Sequence, residues 1–178
     1  VVGVAYLGLA VIVPSLIALH DVPLPVRFPP TEFRARSVDA LRELQITGRP
    51  MILWGWAYIY YVQSGMSWGT RTGGSNEILE RFFVNKQLYI ADYVASIESG
   101  RSPVFLDTAM EGSLVYADRK QWGHEQTPEV GEAVRRNYFP CAEFPGARLF
   151  LLRTRYEGRK DIVDWCARLP QHAPRKRP

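Results

Sequence analysis

Residues 50–71 read PMILWGWAYIYYVQSGMSWGTR, and this stretch decides the fold. Met51, Ile52, Leu53 and Trp54 form a short unbroken apolar run. Such a run between turn signals predicts a strand buried on both faces, as in a parallel sheet. Gly48 and Pro50 punctuate its start, and Gly55 ends it where a loop can approach the backbone closely. Ala57 to Gln63 then predicts a short helix. Tyr58, Tyr61 and Val62 share one face of it, and Gly65 stands just past its end. This strand–turn–helix unit gathers Trp54, Trp56, Tyr58 and Tyr61 at the carboxyl end of the strand, where open α/β sheets place their binding crevices. Large apolar residues also pack inside, so each of these aromatics is either a binding or a core residue.

Outward from this unit, Thr31 caps a predicted helix to about Thr47, with Val38, Leu41 and Leu44 as its inner stripe. Downstream, Met66 to Gly74 is a loop in which Gly69, Gly73 and Gly74 flank Arg71. A guanidinium there can meet an anion, or it is an ordinary surface arginine, or one stacked on Trp68. Asn76 to Ser99 predicts helix in two pieces, and Pro103 to Asp107 a second buried strand. Asp107, at its carboxyl end, can bind, catalyse or cap the next turn. Residues 108–126 read as a mixed loop holding Trp122 and a solvated His124. Thr127 to Tyr138 is a helix with Pro128 in its first turn, Ala147 to Tyr156 a third strand, and Asp161 to Leu169 a last helix. This order predicts a small layered α/β domain over residues 31–170, with a mainly parallel sheet and right-handed crossovers.

The first residues differ in kind. Val1 to Leu19 carries no charge and is long enough to be a transmembrane helix, predicted over residues 1–20; the alternative is a helix buried in a soluble protein. Residues 21–30 include Pro23, Pro25, Pro29 and Pro30 and predict an extended, semi-rigid strap. Residues 171–178 form a basic tail. The chain opens on Val1 rather than Met, so a piece of a longer protein is expected.

Composition limits the function. The 178 residues are 47% hydrophobic, enough for one domain with a core and too apolar for disorder. The net charge is 22 − 18 = +4, with no basic stripe interleaved with aromatics, which argues against nucleic acid as a partner. Neither a Walker loop nor G-x-G-x-x-G is present, nor G-x-S-x-G. Asp107, Glu111 and His124 are too scattered in sequence to define a site, and Cys141 has no sequence-visible base. Two cysteines, Cys141 and Cys166, fit either a disulfide in an oxidising compartment or two buried thiols.

Three local patterns resemble the carboxyl-terminal part of bacterial polytopic glycosyltransferases of the GT-C class, the protein-mannosyltransferase-like group. They are Leu53-Trp54-Gly55-Trp56 with Tyr58 to Gly65 and Thr70-Arg71, the helix end at Asn137-Tyr138, and the strand Leu149 to Arg153. The resemblance covers about residues 1–156 and departs in the loop from Trp122 to His124 and past Tyr156. It implies a last membrane helix followed by an extracytoplasmic domain at the inner membrane, in an enzyme using polyprenyl-phosphate-linked sugar. Membrane lipid, the lipid-linked sugar and the upstream transmembrane domain are then the partners. That family's catalytic carboxylates lie far upstream, and no residue here matches them. The chain alone is therefore expected to catalyse nothing and to hold no cofactor, with a divalent metal an option only for the whole enzyme. Trp54, Trp56, Tyr58, Tyr61, Arg71 and Asp107 are the substrate-binding candidates. The alternatives are a non-enzymatic membrane-anchored binding or assembly module and a soluble enzyme with Asp107 and Arg71 in its cleft.

Overall fold

The computed structural model describes residues 31–80, 83–113 and 115–169, with side chains from Arg36 onward. The expected membrane helix, the strap, the basic tail and the domain limit at residue 170 lie outside these residues. Among the described residues, no helix is long and apolar enough to cross a membrane.

The chain runs α1 (Thr31–Glu43), β1 (Pro50–Trp54), α2 (Ile59–Ser64), β2 (Ser67–Trp68), α3 (Asn76–Leu79), α4 (Lys86–Glu98), β3 (Val104–Asp107) and α5 (Arg119–Trp122). A 3-10 turn (His124–Gln126), α6 (Pro128–Asn137), β4 (Tyr138–Phe144), β5 (Ala147–Leu152), α7 (Arg153–Tyr156) and α8 (Lys160–Arg168) follow. The strands form one sheet in the order β2-β1-β3-β5-β4.

The unit at residues 50–65 forms as its sequence dictates. Met51, Ile52, Leu53 and Trp54 are each 0% exposed; β1 lies between β2 and β3, and since successive side chains alternate between faces, both faces are buried here. Each such side chain contributes roughly 1.5–3 kcal/mol by burial. Gly65, at φ +68°, ends α2 in the left-handed region, where glycine carries no Cβ penalty. The long helical stretch divides into α3 and α4, matching the predicted two pieces.

The α/β sheet forms as expected, but only its β2-β1-β3 half is parallel. β2, β1 and β3 are mutually parallel, but β5 pairs antiparallel with β3 and β4 antiparallel with β5. The reason is β4, which the sequence reading missed. Only Pro145 and Gly146 join it to β5, and a link that short makes a hairpin and cannot cross over to a parallel neighbour. β4 is hard to read because Pro140 interrupts it. The proline is tolerated on this edge strand, at the register shift between Pro140 and Ala142. The third strand also stops at Leu152, and Arg153 to Tyr156 is a helical turn. Cys141 on β4 and Cys166 on α8 form a disulfide, which pins the last helix to the sheet edge.

Candidate functional site

The buried polar groups converge where β3 ends. Asp107 closes the apolar run of β3 and is 0% exposed, the only buried carboxylate among the described residues. Its Oδ1 accepts the Ala109 N–H at 2.8 Å. Its Oδ2 accepts from the Arg148 guanidinium and lies 2.6 Å from His124 Nδ1. Arg148 sits on β5 directly opposite Asp107 in the antiparallel register, so both side chains point to one face of the sheet.

His124 is 4% exposed, which corrects its reading as a solvated loop residue. Its ring stands edge-on to Phe105 and Phe150, with centroids 5.1 and 5.2 Å away. Glu125 completes the group. Arg148 reaches both its oxygens, at 2.5 and 2.8 Å, and Arg119 donates to Oε1 at 2.9 Å. Partial burial acts to raise the Glu125 pKa, but the Arg148 bond and the nearby His124 and Arg148 charges outweigh it and hold the carboxyl well below its usual range. Burial acts to lower the Arg148 pKa, and its bonds and charge pairing with Glu125 and Asp107 keep it raised. The Arg148 Nε is buried without a hydrogen-bond partner.

Asp107, His124 and Glu125 present oxygen, nitrogen and oxygen donors within 4.8 Å of one another, a donor set that can ligate a divalent ion. The guanidinium of Arg148 already occupies both carboxylates and lies 3.3 Å from His124 Nδ1. A cation would have to displace a buried positive charge, so the group does not fit a resident metal. The arrangement is an ion-pair network that joins β3, β5 and the 3-10 turn.

Beside it, a cleft of about 400 Å³ opens between α6 and the β4–β5 hairpin, lined by His124, Arg135, Tyr138, Phe150 and Arg153 among others. Its arginines are already paired, Arg135 with Glu132 and Arg153 with Glu157. Asp107 orients His124 through Nδ1 as it would an acid–base imidazole. Both cysteines are in the disulfide and so offer no thiol nucleophile to it.

The candidates read from sequence are spread over several places. Trp54 is core: its Nε1 donates to Trp122 O at 2.7 Å and its ring packs edge-on against Tyr93. Tyr61 is 5% exposed; its hydroxyl donates to Gly73 O at 2.6 Å and anchors the glycine-rich loop. Tyr58 is half-buried, with its hydroxyl accepting from Asn76 Nδ2 at 3.0 Å. Trp56 is 44% exposed. Arg71 is a surface residue, its side chain 84% exposed and 3.5 Å from Asp92. Asp107 and Arg71 therefore have separate partners and do not form one cleft.

Sequence reasoning missed His124, Glu125 and Arg148. One signal was present: Arg148 interrupts the apolar run ARLFLL of β5, and an arginine buried in a strand requires an acid nearby.

No family model, no curated protein and no solved structure matches the chain.

Proposed function

We propose that this chain is the membrane-tethered, extracytoplasmic part of a glycosyltransferase that uses polyprenyl-phosphate-linked sugar, with the transfer chemistry carried by residues outside it. The observation that best supports this reading is the Cys141–Cys166 disulfide. Disulfides persist in oxidising compartments and are rare in the cytosol of mesophiles. The uncharged stretch Val1–Leu19 supplies the tether, and the unit from Leu53 to Arg71 carries the resemblance to the enzyme class.

The buried acid fits this division of labour. Glycosyl transfer needs a base for the acceptor proton and charge stabilisation for the departing phosphate. Asp107 is engaged by Arg148, His124 and the Ala109 amide, so it holds the fold. Arg71, exposed on the loop after β2 and 3.5 Å from Asp92, is the guanidinium this reading assigns to a carrier phosphate.

The test uses the whole reading frame in its membrane. A reporter fused after Pro178 is expected to be active only outside the cytoplasm. Transfer from polyprenyl-phosphate sugar is expected from the whole protein and not from residues 1–178 alone. A reporter active only in the cytoplasm, or turnover by this chain by itself, overturns the reading.

A further inference from the structure

Several exposed apolar residues share one edge of the domain, the carboxyl edge of β1 and β3. Trp56, two residues past β1, is 44% exposed. Phe83 and Val84, just ahead of α4, are 44% and 79% exposed, Leu88 in its first turn is 66%, and Val115 is 42%. Three hydrogen bonds fix this placement. The Tyr93 hydroxyl donates to Leu53 O at 2.7 Å, and α4 then leads back to the start of β3, so its first turn lies beyond the end of β1. The Gly55 N–H donates to Ser75 Oγ at 2.8 Å, which brings the start of α3 to the same edge. The Tyr116 hydroxyl donates to Glu80 Oε1 at 3.2 Å, which sets Val115 beside the end of α3. Single exposed apolar residues are ordinary, whereas a group of them on one edge marks a contact surface.

The chain also enters the domain from this edge. Ser37 Oγ donates to the Tyr60 hydroxyl at 3.2 Å and Arg42 to Gln63 O at 2.8 Å, so α1 and α2 run in the same direction. α2 begins beyond the end of β1 and finishes beside its start, where the Gly48 N–H donates to Gly65 O at 2.8 Å. α1 therefore begins at the carboxyl edge. Eleven residues, 20–30, separate its first residue from the uncharged stretch Val1–Leu19. Fully extended, they reach at most about 40 Å. The described chain thus enters the domain at the apolar edge. Lys86, exposed at the start of α4, adds a cation suited to lipid phosphate.

We propose that Trp56, Phe83, Val84, Leu88 and Val115 form a rim that lies on the surface of the bilayer that takes up residues 1–19. The inference rests on the membrane reading given above and adds the face by which the domain meets lipid. Tryptophan favours the membrane interface, and apolar side chains of a surface-lying element bury shallowly at the headgroup boundary.

The test reconstitutes the full chain into phosphatidylethanolamine–phosphatidylglycerol vesicles. Benzoylphenylalanine replaces Val84, Leu88 or, as a control, Val163. Val163 is 49% exposed on α8, whose Trp165 bonds Glu43 at the opposite end of α1. Irradiation is expected to give phospholipid adducts at positions 84 and 88 and none at 163. Adding Val84→Glu to the probe at 88 should cut the adduct several-fold. A vesicle-bound chain with no lipid adduct at 84 and 88, with protein adducts in their place, or with equal adducts at all three positions overturns the rim alone. A chain that does not associate with the vesicles overturns the membrane reading as well.

Discussion

Asp107 and Arg148 face each other across the antiparallel β3–β5 pair and are joined by an ion pair that is almost wholly buried. The pair sits at the junction between the parallel half of the sheet and the hairpin half. Arg148 also holds Glu125, and through Asp107 it fixes the ring of His124. Removing one member leaves the others as uncompensated buried charge, which is the costly case for such pairs.

Arg148→Met should therefore destabilise the domain by about 3–5 kcal/mol, the range for breaking a buried pair from one side. Arg148→Lys keeps the charge but cannot bridge two carboxylates as a fork does, so it should fall between wild type and Met. Denaturant unfolding of the three proteins checks the order. Equal midpoints would make the pair energetically neutral.

The pH dependence follows from Glu125. Its folded pKa is depressed below the ordinary 4.5, so the folded state holds the charged form. The stability it contributes is complete above about pH 4.5 and is lost as pH falls towards the depressed folded value. Acid titration of the unfolding midpoint should show this loss, and Glu125→Gln should remove part of it.

Reduction of Cys141–Cys166 should lower stability by about 3.5 kcal/mol, from the loop entropy of a bridge spanning 25 residues. Neither cysteine should label in denaturant without reductant. Labelling of both would show that no bridge forms.

Gly55→Ala should cost about 1–3 kcal/mol. Gly55 has φ +101°, and a Cβ there would stand 2.4 Å from Thr108 Oγ1 and 3.3 Å from the Ala109 backbone nitrogen. The substitution thus combines a backbone strain with a clash. Gly100→Ala isolates the strain, since Gly100 also has positive φ but nothing within 4 Å of an added Cβ. A thermal melt should rank Gly55→Ala as the worse of the two.

Zinc, and separately EDTA, should leave the melting temperature unchanged, because Arg148 already satisfies the carboxylates a metal would need. A rise with zinc would show that the guanidinium yields to a cation.

The sequence by itself determined the elements whose signals are local. The run Met51–Trp54 between Gly48 and Gly55 was legible as a doubly buried strand, and Gly65 as the end of the helix after it. So was Pro128 at the start of α6, because capping, turn chemistry and short apolar runs are properties of neighbours along the chain. Only the tertiary structure decided the antiparallel half of the sheet and the polar cluster. β4 hides behind Pro140, and its pairing depends on a two-residue turn closing onto a partner strand. Asp107, His124 and Arg148 lie up to 41 residues apart in sequence. Arg148 within the apolar run of β5 signals an acid nearby, but which acid, and that a 3-10 turn lies beside the pair, is set by strand pairing. Burial, which makes that network obligatory, exists only once β3 and β5 have paired.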